Sequence, residues 1–372
     1  MTVLAIPHDA APKWNGVPEV IASGSSWDIG FSHGSQIPQR IRTCIENYKI
    51  LFLDTAEADW PESRKRAQTY LPALEKNEPD LVEEMKGIAA GAGEGVDFLD
   101  ILTLNLRSEI SLTNYSDGCT SLATRSTSGS EVYIGQNWDW VGEAGTSTAF
   151  FDILRTGKPR VRMFGEAGIV AKFGMNEAGV AICMNAIRSG TVAKDKLPVH
   201  LAMRRVLECQ SFDEAIAMLK SKGLASCVNL VIGDSTGKIV TVECTPKGLA
   251  LISPKPGSDI VWANTVFHTN HLWAPNIPKG IRDHPSKNSF SRLNRIRLLT
   301  KGQEPSVAKI REWFSDEEGT PVSICRSTPP LARGIERMET LATIIIDLPN
   351  RRLELSLGKP CLNPPVRTMT FE

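Results

Sequence analysis

The sequence lacks any long apolar run and any excess of charge of one sign. No stretch of about 18 apolar residues occurs, so no membrane-spanning helix is predicted. The 42 basic and 42 acidic residues balance, which gives no reason to expect nucleic acid or an anionic membrane as a partner. The N-terminus lacks a secretion signal, and the last three residues, TFE, are not a peroxisomal tripeptide. We therefore expect a cytoplasmic protein.

Paired cysteines are also missing, because none of the eight cysteines forms a C-x-x-C motif. This pattern disfavours zinc sites and redox motifs, so we expect no metal and no cofactor. Without a secretion signal, disulfides are not expected either. Most of these thiols should behave as small buried apolar groups.

What the sequence does contain is a change of pattern at Cys119. Upstream of it, segments such as IRTCIENYKILFL show helical spacing, whereas segments such as EVYIGQNWDW downstream are typical of strands. Successive strands joined by tight turns, with helices grouped between them, predict an α+β fold with antiparallel sheets covered by helices. The charge changes at the same point. Residues 1–118 carry 10 Lys+Arg and 18 Asp+Glu, and residues 119–372 carry the remaining 32 and 24.

A catalytic thiol at position 119 would need a base or a lowered pKa. One candidate base is a histidine, His268 or His271, at the end of an apolar strand, as in a Cys/His protease. The other is the α-amine of Cys119 itself, with an ordinary pKa of about 7.7–8.0, if the Gly118–Cys119 bond is cut. Gly118 has no Cβ, so the thiol could approach its carbonyl, and opposite charges would help two fragments stay together. The residues alone leave both bases open.

Short motifs along most of the chain resemble one enzyme family. They are WDIG (27–30), DGCT (117–120), GQNWD (135–139), GMNEAGV (174–180), HTNH (268–271) and SICR (323–326). In this order and spacing they resemble the acyl-coenzyme A:6-aminopenicillanic acid acyltransferases, or isopenicillin N acyltransferases. These are N-terminal-nucleophile (Ntn) hydrolases related to penicillin V acylases and bile-salt hydrolases. The resemblance implies one four-layer αββα domain whose precursor cuts itself into a mostly helical segment, 1–118, and a catalytic segment, 119–372.

The resemblance also implies roles for individual residues. Cys119 would be the nucleophile, with its own amine as the base. Asp139 would hold the new ammonium group, Asn270 would donate to the oxyanion, and Arg326 would favour the thiolate. Asn185 is a second candidate for contact with the oxyanion. The supporting positions whose roles stay open are Ser121, Asn185 and Ser323.

The acceptor of the acyl group decides the activity. An amine acceptor would make the enzyme an acyltransferase, whereas water would make it an amidohydrolase acting on an N-acyl amide. We favour transfer to a small amine other than the penicillin nucleus, from a coenzyme A thioester or an amide, with coenzyme A as part of a substrate and not as a cofactor. An amidohydrolase, a Cys/His protease and an inactive relative that only binds ligands remain as alternatives.

Overall fold

The computed structural model describes residues 16–111, 118–255 and 264–371. The described residues before Cys119 form one strand, β1, and seven helices, which confirms the helical interpretation of this part of the chain. Pro72 lies in the first turn of α4, so the helix expected over 62–76 is divided there into α3 and α4. The elements are β1 Glu19–Gly24, α1 Ser26–Gln36, α2 Pro38–Ala56, α3 Trp60–Gln68, α4 Leu71–Asn77, α5 Pro79–Ala92, α6 Phe98–Asn105 and α7 Arg107–Ser111.

Strands dominate the chain after Cys119, with helices grouped in two places. The first group of strands is β2 Thr120–Arg125, β3 Val132–Val141, β4 Thr148–Arg155, β5 Val161–Glu166, β6 Phe173–Asn176 and β7 Ala181–Ala186. Helices α8 Val199–Leu207 and α9 Phe212–Lys222 precede β8 Val228–Gly233, β9 Ile239–Thr245, β10 Gly248–Ile252 and β11 Thr265–His268. The chain ends with α10 Lys287–Thr300, α11 Val307–Phe314, β12 Met338–Asp347, β13 Arg352–Leu357 and β14 Val366–Thr370.

The strands form two sheets, which confirms the predicted α+β class. One sheet has the order β1-β4-β5-β6-β7-β8-β9-β10, and the other has the order β11-β2-β3-β12-β13-β14. Within these sheets, every pair of described strands is antiparallel except β1 with β4, which is parallel. A strand expected over 260–270 is limited to Thr265–His268 among the described residues, and 256–263 lie outside them. Strand β14, Val366–Thr370, was not predicted.

The two sheets face each other and helices cover both outer surfaces. Strands β2 and β3 contact β7 and β8 across the interior. Helices α1 and α8 pack on the first sheet, and α10 and α11 pack on the second. Every residue of β3 is therefore buried, since one of its faces meets the opposite sheet and the other meets a helix. This is the four-layer αββα arrangement that the resemblance implied. No helix in the described parts of the chain is long and apolar enough to cross a membrane.

Helices α1 and α5 pack with their backbones in direct contact. A Cβ atom added to Gly30 would lie 2.0 Å from the carbonyl oxygen of Glu84, and one added to Gly34 would lie 2.2 Å from that of Ile88. On α5, a Cβ atom added to Gly87 or Gly91 would lie 2.6 Å or 2.2 Å from a backbone oxygen of α1. Glycine at these positions on both helices permits an approach that any side chain would prevent.

Buried ion pairs join the acidic segment before Cys119 to the basic segment after it. Glu84 on α5 lies 3.0 Å from the guanidinium of Arg204 on α8. Arg205 lies 2.7 Å from Glu78 and also pairs with Asp80. Some of the opposite charges noted in the sequence thus meet between α8 and α5 with its N-cap residue Glu78.

Candidate active site

Cys119 lies immediately before β2, in the space between the two sheets. Thr120 pairs with Asn137 of β3, and the Ser121 hydroxyl reaches the opposite sheet. The Cys119 side chain is 1% exposed. Burial, and after it the Cys119 thiol, raise the pKa of Cys183 on β7, which places the two thiols near each other. The fold therefore directs Cys119 into the interior between the sheets.

Gly118 occupies a niche between two charged side chains. A Cβ atom at this position would lie 2.5 Å from Arg326 Nη1 and 3.0 Å from Asp139 Oδ2. The first distance is shorter than real Cβ atoms show and the second is tighter than most of their contacts, so a residue larger than glycine would force the Arg326 side chain to shift. The structure thus brings Asp139 and Arg326 against the Gly118–Cys119 peptide.

A threonine on β12 links Asp139 to the segment that carries Arg326. The Thr340 hydroxyl donates to Asp139 Oδ1 at 2.7 Å and accepts from the Arg326 backbone N–H at 2.8 Å. The register between β12 and β3 shifts between Thr340 and Ala342. A bulge of this kind re-aims side chains locally. Thr340 was not among the predicted site residues, because a threonine in a strand pattern carries no signal of its own.

Asn270 contacts the backbone nitrogen of Cys119. Its Oδ1 accepts from the Cys119 N–H at 2.9 Å and from Arg292 Nη2 at 2.8 Å. Its Nδ2 donates to the carbonyl oxygen of Ala186 at 3.0 Å. The expected donation from Asn270 to an oxyanion stays a prediction, since its contact with Cys119 is made by the acceptor oxygen.

Arg292 on α10 completes the charged surroundings of Cys119, although the sequence did not point to it. Its Nη1 donates to the Cys119 carbonyl oxygen and, at 3.0 Å, to Thr120 Oγ1. Burial lowers the pKa of Arg292 to about 10, and the negative charge of Asp139 is the largest influence that opposes this shift. A buried guanidinium next to a thiol favours the thiolate form of that thiol.

A sequence signal for Arg292 does exist in retrospect. On α10, Arg292 lies on the same buried face as Ser289, Leu293 and Ile296. Arginine in an apolar helical stripe is seldom buried unless it is paired. The spacing could therefore have singled out Arg292 among the arginines of this helix.

Ser121 and Asn185 form a polar chain between the sheets. Ser121 Oγ donates to Asn185 Oδ1 at 2.6 Å, and Asn229 Nδ2 donates to the same oxygen at 3.0 Å. Thr241 in turn hydrogen-bonds to Asn229 Oδ1. Asn185 Nδ2 is buried and has no hydrogen-bond partner among the described residues. An unpaired buried amide donor is costly, so this group is suited to an acceptor that arrives with a substrate.

The two candidate histidine bases are engaged elsewhere. His268 Nδ1 lies 2.7 Å from the carbonyl oxygen of Thr269, and its Nε2 lies 2.9 Å from Glu243 Oε1. His271 Nδ1 lies 2.7 Å from Ser289 Oγ. Burial, and next His268, lower the pKa of His271 to about 4. Both nitrogens of His268 are occupied, which disfavours a role as a base for Cys119.

Glu243 holds the segment that carries Asn270. This buried carboxylate on β9 accepts from the backbone N–H groups of Trp273 at 2.8 Å and Ala274 at 3.1 Å, besides its contact with His268. The contacts lie on both sides of Asn270 along the chain. Glu243 therefore fixes the position from which Asn270 reaches Cys119.

Ser323 stays apart from this set of contacts. Its hydroxyl donates to the carbonyl oxygen of Cys325 at 2.6 Å. It thus shapes the turn that leads to Arg326. Of the other predicted residues, Gly118, Cys119, Asp139, Asn270 and Arg326 are brought together, and Ser121 and Asn185 bond to each other between the sheets.

A family model and one relative of known function identify the family of this chain. The sequence model of the family described as acyl-coenzyme A:6-aminopenicillanic acid acyl-transferase matches residues 125–361. The 40 kDa form of acyl-coenzyme A:6-aminopenicillanic-acid-acyltransferase from Emericella nidulans is 30% identical over 357 residues, which cover 95% of this chain and 96% of that one. The β-alanyl-dopamine/carcinine hydrolase of Drosophila melanogaster is 23% identical over 399 residues, with 95% and 96% of the two chains covered.

Solved structures with similarity to this fold include a mutant form of conjugated bile acid hydrolase from Clostridium perfringens. It is 13% identical, and the match covers 68% of this chain and 97% of that one with a TM-score of 0.43. Penicillin V acylase from Agrobacterium tumefaciens is 16% identical, with 68% and 86% of the two chains covered and a TM-score of 0.42.

Proposed function

The chain belongs to the acyl-coenzyme A:6-aminopenicillanic acid acyltransferase family, and from this premise we propose that it transfers an acyl group through a thioester on Cys119 to a small amine. The observation that carries the proposal is the niche of Gly118 and Cys119. Gly118 packs between Asp139 and Arg326, and the Cys119 nitrogen is bonded to Asn270. These contacts surround the peptide bond whose cleavage would create the catalyst.

The first step in this proposal is self-cleavage. The Cys119 thiol attacks the Gly118 carbonyl carbon, the peptide nitrogen leaves with a proton, and a thioester replaces the amide. Water then hydrolyses the thioester, which leaves a carboxylate on Gly118 and a free amine and thiol on Cys119. The small size of Gly118 supports this step, because a Cβ atom there would lie 2.5 Å from Arg326 Nη1 and would force that side chain to move.

The new amine then serves as the base. It takes the proton of the Cys119 thiol, and the thiolate attacks the carbonyl carbon of the acyl donor. The acceptor oxygens that already lie at this point, Asn270 Oδ1 and the Asp139 carboxylate, are suited to hold the ammonium form. Arg292 and Arg326 supply positive charge that favours the thiolate.

Collapse of the tetrahedral intermediate releases the leaving group and keeps the acyl group on sulfur. The negative oxygen of that intermediate needs a donor that is already in place. Asn185 Nδ2 meets this need, because it is buried and has no partner among the described residues. The amine acceptor then attacks the thioester, Cys119 regains its proton, and the product is an amide.

The same residues would serve an amidohydrolase in which water takes the place of the amine. The hydrolase of Drosophila melanogaster gives this alternative its support, since it is 23% identical along 95% of the chain. A thioester of coenzyme A is the donor we favour, because the named acyltransferase of Emericella nidulans is the more similar relative at 30% identity. In both cases the cleaved segments 1–118 and 119–372 would remain associated.

The test is the intact mass of the freshly purified protein under denaturing conditions. We expect two fragments of 118 and 254 residues from the wild type and one chain of 372 residues from Cys119→Ala. Cys183→Ala is the matched control, since it removes a neighbouring buried thiol and should still be cut. An uncut wild-type chain would leave Cys119 without its amine and refute the mechanism.

A second measurement separates transfer from hydrolysis. The cleaved enzyme is mixed with an acyl-coenzyme A thioester, and the products are quantified with and without added small amines. Amide formation that rises with amine concentration supports the transferase. Release of free acid that no amine reduces would favour the amidohydrolase.

A further inference from the structure

Three side chains with ligand atoms for a metal converge beside the segment that carries Arg326. The sulfur atoms of Cys325 and Cys361 lie 3.1 Å apart, although 36 positions separate them in the chain. The Glu317 carboxylate lies close to both thiols. The two sulfurs and a carboxylate oxygen all lie within 4.8 Å of one another.

The chemistry of this group fits a thiophilic divalent cation. Two thiolates select zinc over the harder cations, and a carboxylate is a common third ligand. Zinc–sulfur bonds of about 2.3 Å in a tetrahedral site put two sulfurs roughly 3.8 Å apart. The sulfurs of Cys325 and Cys361 would have to separate by less than about 1 Å, which small side-chain rotations can supply.

One of the three groups is exposed, which gives the ion a path of entry from solvent. Cys325 is buried, Cys361 is half-buried and Glu317 is exposed. A cation can therefore arrive from solvent on the side of Glu317, and a water molecule can complete the coordination there. On binding, each thiol releases its proton to solvent, so one zinc ion replaces two protons.

We propose that Cys325, Cys361 and Glu317 bind one zinc ion that ties the segment before Arg326 to the short 3-10 helix Pro360–Leu362. Two ligands come from the first segment and one comes from the helix. The site is structural, because it lies behind Arg326 and contributes no atom to the niche of Gly118. The absence of C-x-x-C motifs led us to expect no metal, and it is the fold that joins these distant cysteines.

The experiment measures metal binding directly, independently of enzyme activity. Reduced protein is stripped with a chelator, dialysed and titrated with zinc in a calorimeter, and cobalt(II) is added to a second sample. We expect one zinc per chain and the ultraviolet absorption of thiolate-to-cobalt charge transfer. Cys361→Ser should lose the absorption and weaken zinc binding at least about tenfold, and Glu317→Gln should weaken it by a smaller factor.

Glu318→Gln is the matched control, because Glu318 is exposed, adjacent in the chain and paired with Arg295. It should bind zinc as the wild type does. Equal zinc binding by Cys361→Ser and the wild type would overturn the proposal, as would the absence of cobalt–sulfur absorption. A Cys325–Cys361 disulfide found by peptide mass in protein kept under reducing conditions would overturn it as well.

Discussion

Replacement of Thr340 by valine tests whether the link between Asp139 and the Arg326 segment governs the chemistry at Cys119. Valine keeps the shape and the branched Cβ but removes the hydroxyl. Asp139 then loses a donor at 2.7 Å, and the Arg326 backbone N–H loses its acceptor at 2.8 Å. A hydrogen bond to a charged group contributes about 1.5–3 kcal/mol, and an unpaired buried amide costs about 1–3 kcal/mol.

The expected effects are a loss of roughly 3–5 kcal/mol in the free energy of unfolding and slower self-cleavage. If the substitution raises the activation free energy of cleavage by about 2 kcal/mol, the cleavage rate falls roughly 30-fold. The assay follows the appearance of the two fragments by mass spectrometry after expression in a cell-free system. Unfolding in urea is measured beside it on protein that carries Cys119→Ala.

Thr124→Val is the matched control for this experiment. Thr124 is also a buried strand threonine, and its hydroxyl bonds to Thr265 at 2.8 Å, away from Arg326. It should lose about 1 kcal/mol of stability and be cut at the rate of the wild type. Cleavage of Thr340→Val as fast as this control would refute the link that we assign to Thr340.

Three further predictions concern residues outside the direct contacts of Cys119. Glu243→Gln replaces a carboxylate that makes three contacts by an amide that has only one acceptor oxygen. We expect kcat to fall about tenfold and KM to stay nearly unchanged in steady-state kinetics. An unchanged kcat would contradict the positioning role of Glu243. Gly34→Ala puts a Cβ 2.2 Å from the Ile88 carbonyl oxygen and should cost at least about 3 kcal/mol in urea unfolding, whereas Ser35→Ala on the same helix should cost under about 0.5 kcal/mol. Burial lowers the pKa of His33 and His200 to about 3 from 6.5, so below pH 6.5 the unfolded chain binds more protons than the folded one. Stability should fall by roughly 2–3 kcal/mol per pH unit between pH 6.5 and 4 from these two groups, as urea unfolding at several pH values would show, and should fall less steeply in His33→Gln.

The fold was predictable because its signals are local. Hydrophobic spacing placed the helices, and the alternation and tight turns after Cys119 placed most strands. The cysteine itself stood out since a nucleophile with a preceding glycine lay where both pattern and charge changed. Strand β14 was missed because Val366–Thr370 is short and largely exposed, which leaves no apolar alternation to detect.

The supporting residues of the site were harder to predict, because their roles depend on contacts between distant parts of the chain. Thr340 lies 201 positions from Asp139, and Arg292 lies 173 positions from Cys119. A threonine in a strand carries no signal of such a partner. The buried stripe of α10 marks Arg292 as buried but does not identify what it contacts. Glu243 was also missed, because an acidic residue in a strand is usually expected to face solvent.

The parallel pairing of β1 with β4 has a consequence for aggregation. Glu19–Gly24 is the edge strand of the eight-stranded sheet, so the hydrogen-bonding groups on one side of β4 are satisfied only by the segment before Cys119. If the chain were cut near Cys119 and that segment dissociated, β4 would become an exposed edge that carries Phe150, Phe151, Ile153 and Leu154. Such an edge is a template for strand addition between molecules. As long as the short strand β1 stays in place, it therefore covers the edge of β4 and prevents fibre-like association through that edge.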